Sequence, residues 1–254
     1  MAESKRLYGL KAIVTGAASS IGEAIARTFV KHGADVVAAD SADSGIDRTY
    51  RRVRGVHALA IDTDASTLAA KVTQAALDRL GGLDILVNNF ADRVDALSPT
   101  ADDAERNRAL EVLRQLTLET SRAVLPMLKQ SPAGRIINIG CLRSSFGADG
   151  QAGFAASQQA IADLTASQAT GYGDFGITAN YVQPGAIMTA GSREIFDANR
   201  AFRDLCIRSS AARRLGEPVD VAKVVLFLAT DDAVFVSGTG IVVDGGVRPD
   251  PAAP

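Results

Sequence analysis

The sequence has few of the residues that build cross-links or metal centres. Its 254 residues include two cysteines, Cys141 and Cys206, and their separation fits neither a disulfide framework nor the short ligand spacing of a zinc site. No metal is expected. The two histidines, His32 and His57, both lie in the N-terminal part of the chain. No apolar run approaches the roughly 20 residues of a membrane span, so no membrane contact is expected. Charge of one sign is also missing: 27 basic against 29 acidic residues leave a net charge of -2, which gives no global electrostatic case for nucleic acid. The one basic cluster, "RTYRRVR" from Arg48 to Arg54, reads as a solvated helix or loop face in preference to a phosphate site. The opening "MAESKRLYGLKAIVTG" has no separate apolar core or small-residue cleavage site, which points to the cytoplasm. No internal repeat appears.

What is present is an ordinary globular composition, 47% hydrophobic and 22% charged, in a length that α/β folds often keep as one domain. Short β-branched runs ("KAIVT", "DVVAAD", "HALAID", "DILVNN", "RIINIG", "ITANYV", "GIVVD") alternate with helical stretches. That alternation predicts a parallel sheet with helices on both faces. Ile21, Ile25 and Phe29 recur at four-residue spacing on one helix face ending at Gly33, and residues 102–129 predict a long helix. Between Met188 and Gly216 the pattern weakens, and a mobile loop with one short helix is expected. The domain is expected over residues 1–248, with 249–254 as a disordered tail, because "RPDPAAP" cannot form a packed element.

"AIVTGAASSIGEAIA" reads strand, glycine turn, helix, the context in which a glycine motif points to dinucleotide binding. Gly16 permits the tight turn. Gly22 lets the helix pack close to the strand and aim its free N–H groups at a pyrophosphate. Asp40, at the end of the second strand, can accept from both adenosine ribose hydroxyls and would repel a 2′-phosphate, which favours NAD over NADP.

With these residues in place the chain resembles the short-chain dehydrogenase/reductase family over nearly its whole length. "TGAASSIG" is similar to that family's TGxxxGIG, "NNFA" at 88–91 to its NNAG, and "YVQPGAIMT" to its PG motif. The resemblance implies a Rossmann-like, doubly wound, seven-stranded sheet, commonly in tetramers or dimers paired through the two long helices. It also implies an oxidoreductase with nicotinamide at the C-terminal ends of the strands. It assigns Gly16, Ser19, Ser20, Ile21 and Gly22 to the pyrophosphate turn and Asp40 to the ribose. Asp62 and Thr63 fall to the adenine, Asn89 and Ala91 to the adenosine side, and Pro184, Gly185, Ile187 and Thr189 to the carboxamide and phosphate. Three departures stand in this cradle: Ser20 replaces the middle glycine, and Phe90 and Ala91 replace the Ala-Gly of NNAG.

A larger departure concerns proton transfer. The family places a Tyr 13 residues after a strand-end Ser, with a Lys four residues beyond the Tyr, and the Lys cation lowers the Tyr pKa from about 10 so that it can protonate an alkoxide. Here Phe154 stands at the Tyr position, Gln158 at the Lys, Cys141 at the Ser, and Leu113 at the Asn of the preceding helix. Phe keeps the ring and loses the proton; Gln keeps much of the length and loses the charge. No lysine occurs between Lys129 and Lys223. Tyr172 would lie about 27 Å from Phe154 along a continuous helix.

The sequence therefore predicts a family fold with an NAD pocket and without ordinary dehydrogenase activity, serving as a binding, regulatory or assembly subunit. The alternatives are an active NAD-linked or non-redox enzyme using Cys141, Arg143 or Ser144 on an unknown small substrate, and a non-catalytic partner of an active homologue in a hetero-oligomer. Cys141 reads as a buried small residue because no histidine is placed to activate it. Arg143 reads as a surface arginine, and Asp149 as a turn residue before Gly150.

Overall fold

The computed structural model describes residues 5–61, 65–90, 103–142 and 151–247. Each apolar β-branched run becomes a strand: β1 Lys11–Thr15, β2 Asp35–Ser41, β3 Val56–Ile61, β4 Ile85–Asn88, β5 Arg135–Ile139, β6 Thr178–Pro184 and β7 Gly240–Val243. They form one parallel sheet in the order β3-β2-β1-β4-β5-β6-β7. Among the described residues the helices are α1 Ser20–Lys31, α2 Ile46–Tyr50, α3 Ala65–Ala75, α4 Asp103–Leu128, α5 Gln151–Tyr172, α6 Ala190–Ala198, α7 Arg200–Ser209 and α8 Pro218–Ala229. The expected Rossmann-like α/β fold is the observed one.

Strand side chains alternate between two apolar layers, because successive residues of a strand point to opposite faces. Val14, Val36, Ala38 and Val87 pack with Ile25 and Phe29 of α1 and with Val221 and Val225 of α8. Ile13, Val37, Leu86 and Ile136 pack on the other face with Val72 of α3, Leu116 of α4 and Ile161 of α5. The four-residue spacing read on α1 is the stripe that it buries.

A polar seam crosses the second layer. Asn88 on β4 donates to Ser121 Oγ of α4 at 3.0 Å and to Asn138 Oδ1 of β5 at 2.9 Å. Asn138 Nδ2 in turn donates to Thr165 Oγ1 and Gln168 Oε1 of α5, at 2.9 and 2.8 Å. Gln168 Nε2 closes the ring on Ser121 Oγ at 2.9 Å. Buried amides need partners, so this ring fixes both long helices against the centre of the sheet.

The segment between Met188 and Gly216 corrects the expectation of a loop with one short helix, since α6 and α7 fill most of it. Their starts are set by side-chain caps. Thr189 accepts from Ser192 N–H at 3.0 Å, with the reciprocal bond present, and Asn199 accepts from Phe202 N–H at 3.0 Å. Only a few apolar residues hold the pair, chiefly Phe196 and Phe202 with ring centroids 5.9 Å apart, so the periodicity was faint.

The chain runs outward from β1 toward β3 on one side and from β4 toward β7 on the other. That reversal opens a crevice beyond the C-terminal ends of β1 and β4, where an open α/β sheet presents a ligand site. The expected tail at 249–254 lies outside the described residues.

Candidate functional site

The crevice is floored by the turn between β1 and α1. Gly16 has φ +57, a left-handed conformation that favours glycine, and a Cβ there would collide with the Asn89 carbonyl. Asn89, just past β4, ties itself to this turn. Its amide Nδ2 donates to the Gly16 carbonyl at 2.9 Å and to Ser19 Oγ at 3.1 Å, while its own N–H donates to Thr15 Oγ1 at 2.9 Å. Ser19 caps α1 by accepting from Gly22 N–H at 3.1 Å. A Cβ on Gly22 would strike the Gly16 carbonyl and come within 2.8 Å of Ala17 Cα, so the helix approaches the turn as closely as the glycine reading requires. The N–H groups of Ser20 and Ile21, the first two of α1, make no backbone hydrogen bond outside the helix among the described residues, and at these positions a helix supplies none. Two donors at a positive dipole end thus face the crevice.

Asp40, on β2, reaches this turn. One carboxylate oxygen accepts from Ala18 N–H at 2.7 Å and the other from Ser41 N–H at 2.7 Å. Each oxygen keeps further acceptor capacity. Tyr50 braces the turn from beneath, its hydroxyl donating to the Ala17 carbonyl at 2.6 Å; burial, then the charge of Glu23, pushes its pKa upward. Nothing local in the sequence signalled the Tyr50 contact, because its partner is 33 residues away.

The opposite wall is the segment after β6. Pro184 ends β6, and a Cβ on Gly185 would run into Asp244. Ile187 is buried against Gly216, and Thr189 caps α6. The first amide of α6, Ala190 N–H, donates to Ser20 Oγ at 3.0 Å. The serine at the family's middle-glycine position therefore joins the N-termini of α1 and α6 across the crevice. The glycine-motif residues, Asp40, Asn89, Ile187 and Thr189 are brought to this one end of the sheet. Asp62, Thr63 and Ala91 lie outside the described residues.

Of the proton-transfer positions, Leu113 of α4 and Cys141 after β5 are 5% and 2% exposed and share one apolar cluster with Phe90 and Ile161. The Cys141 carbonyl accepts from Gln183 Nε2 of β6 at 2.7 Å. Phe154 and Gln158 both lie on α5; the Phe154 side chain, and Arg143, Ser144, Ser145 and Asp149, lie outside the described residues. All four tyrosines are placed. Tyr8 is exposed beneath Lys5, Tyr50 is bound to Ala17, Tyr172 ends α5, and Tyr181 packs on Gly240 in the sheet. His57 meets Asp35 Oδ1 at 3.0 Å near the start of β2, the opposite end of the sheet from the glycine turn. Among the described residues no group of three His, Cys, Asp or Glu is arranged to hold a metal, and no helix is long and apolar enough to cross a membrane.

Comparison with known proteins agrees with this architecture. A family model described as enoyl-(acyl carrier protein) reductase matches residues 16–248. The 3-oxoacyl-(acyl-carrier-protein) reductase FabG of Vibrio cholerae is 33% identical over 243 residues, covering 95% of this chain and 98% of its own length. FabG of Escherichia coli is 33% identical over 241 residues, covering 94% and 97%. Oxidoreductase UcpA of Salmonella typhimurium is 32% identical over 256 residues, covering 95% of each. With its seven parallel strands and its glycine turn in the crevice, the chain belongs to the short-chain dehydrogenase/reductase family of oxidoreductases.

Proposed function

We propose that this protein is an NAD-binding member of the family that lacks ordinary dehydrogenase turnover and acts as a binding, regulatory or assembly subunit. The cradle fits a dinucleotide: Gly16 and Gly22 let the turn and α1 close onto backbone that a Cβ would strike, and the Ser20 and Ile21 amides offer donors for a pyrophosphate. Asp40 would take the adenosine ribose hydroxyls, and its negative charge disfavours a 2′-phosphate, which gives NAD over NADP. Thr189 and Ile187 would flank the nicotinamide end. Bound NAD would supply hydride chemistry; the chain's own residues would bind it, orient it and exclude water.

The observation that carries the loss of turnover is the apolar cluster that unites Leu113, Cys141 and Phe90. A carbonyl gaining hydride needs a proton, and neither Leu113 nor the neutral amide of Gln158 supplies an acid or a cation's field. Cys141 is buried in the same apolar cluster, the setting of a small packing residue in preference to a nucleophile. Losing the general acid typically costs about 10² to 10⁴ in rate. The long helices α4 and α5 offer a face for pairing with a second copy, giving a homo-oligomer.

The reading is tested by calorimetric titration of NADH and NADPH, followed by steady-state assays on a carbonyl panel that includes a 3-oxoacyl-(acyl carrier protein), the substrate in the name of the FabG relatives. NADH binding tighter than NADPH, without measurable turnover, is expected. Absence of NADH binding would remove the cofactor half of the proposal, and turnover comparable to FabG would remove the other half.

A further inference from the structure

The basic stretch after β2 does not lie on a flat face. Arg48, Arg51 and Arg52 fold toward Arg27 of α1 and, with Thr49 and Val53, line an open surface hollow of about 370 Å³. We propose that this hollow is a binding site for a small oligophosphate anion, held by Arg27, Arg48, Arg51 and Arg52.

One of the four guanidinium groups is already fixed. Arg27 Nε donates to Glu23 Oε1 at 2.7 Å, its Nη2 donates to the Thr49 carbonyl at 3.1 Å, and its guanidinium lies 5.8 Å over the Tyr50 ring. Arg48 closes against Gly45, where a Cβ would stand 3.0 Å from its Nη2; Gly45 has φ +77, a conformation that a side chain would strain. Arg51 and Arg52 are exposed, and among the described residues no carboxylate pairs with Arg48, Arg51 or Arg52.

The charge balance selects the ligand. Glu23 offsets one of four positive charges, which leaves three facing one concavity in a protein whose net charge is -2. Like charges gathered around one hollow raise the local potential and so its affinity for an anion, an effect that salt screens. Planar guanidinium forks bind phosphate oxygens in bidentate fashion, and several forks around one small hollow suit several linked phosphates better than a single carboxylate. The volume lies within the range of small-ligand pockets. The site is separate from the dinucleotide cradle: Tyr50 stands between them, its ring under Arg27 and its hydroxyl on the Ala17 carbonyl. It does not rest on the NAD proposal.

Inorganic tripolyphosphate and ATP, titrated by calorimetry into the full-length protein at fixed ionic strength, test the inference. Saturable binding of tripolyphosphate at one site per chain is expected. Equal affinity for the two ligands identifies the oligophosphate alone as the recognised group, and tighter ATP binding identifies a nucleotide. The Arg51→Gln/Arg52→Gln variant should bind at least about tenfold more weakly, since two charge-assisted contacts are removed. Arg200→Gln/Arg203→Gln, which removes the same charge from exposed positions of α7, should bind as the unaltered protein does. Circular dichroism checks that both variants fold. Absence of saturable binding, equal weakening in both variants, or displacement of tripolyphosphate by saturating NADH would overturn the proposal.

Discussion

Replacing Asn138 with alanine puts a number on the polar seam that holds α4 and α5 in place. The substitution removes three hydrogen bonds, from Asn88 Nδ2 and to Thr165 Oγ1 and Gln168 Oε1. Their losses are unequal. Thr165 still donates to the Ile161 carbonyl at 2.7 Å and Asn88 still donates to Ser121, whereas Gln168 Oε1 has no second partner among the described bonds. One orphaned buried acceptor costs about 1–3 kcal/mol, and the small cavity adds about 1 kcal/mol. A loss of about 3 kcal/mol follows, or about 6–12 °C in Tm for a chain of this size. Thr120→Val is the counterpart, because Thr120 is fully buried on α4 and its Oγ1 has no hydrogen-bond partner among the described residues. Removing an already orphaned hydroxyl while keeping its shape should be neutral or stabilising by up to about 1 kcal/mol. Urea unfolding followed by circular dichroism reads both as shifts in midpoint at constant slope. The reasoning fails if Asn138→Ala lies within about 0.5 kcal/mol of the unaltered protein, or if Thr120→Val destabilises as much as Asn138→Ala.

Three further outcomes are expected. Gly22→Ala pushes a Cβ into backbone at Gly16 and Ala17 and should weaken NADH binding at least about tenfold in calorimetry, while Gly171→Ala, with open space around it, should leave binding unchanged. Ser20→Ala removes the acceptor of Ala190 N–H, so hydrogen exchange at that amide should accelerate while the interior of α6 keeps its rate; unchanged exchange would mean that the link across the crevice does not form in solution. Tyr50 has its folded pKa raised, chiefly by burial. Its contribution to stability is therefore complete below the unfolded value of about 10 and lost as pH rises above it. Alkaline titration of stability should show a decline above pH 10 that Tyr50→Phe lacks, although the variant starts lower for want of the Ala17 bond.

The strands and the glycine turn could be read in advance because their signals are local. A β-branched run such as "DVVAAD" is a strand wherever it occurs in a parallel sheet buried on both faces, and Gly22 is required by the approach of the Gly16 and Ala17 backbone within a few residues, whereas the contact that requires Gly16 comes from Asn89 on another strand's end. The start of α6 was visible only as Thr189 followed by Ser192, a capping pair too short to outweigh a weak apolar pattern. Arg48 to Arg54 read as a solvated face because the fourth arginine, Arg27, sits on another helix, and concavity has no signature along the chain.

The sequence alone determined which chemistry is present at each position: phenylalanine without a phenolic proton at 154, a neutral amide at 158, and a carboxylate at 40, since functional groups are fixed by covalent structure. The tertiary structure decided how those groups are used. Only folding brings Asp40 to the Ala18 amide, Ser20 to Ala190, Tyr50 to Ala17, and Leu113 and Cys141 into one apolar cluster. Each of these contacts joins segments on different elements, and the geometry of the whole sheet sets the distance between them.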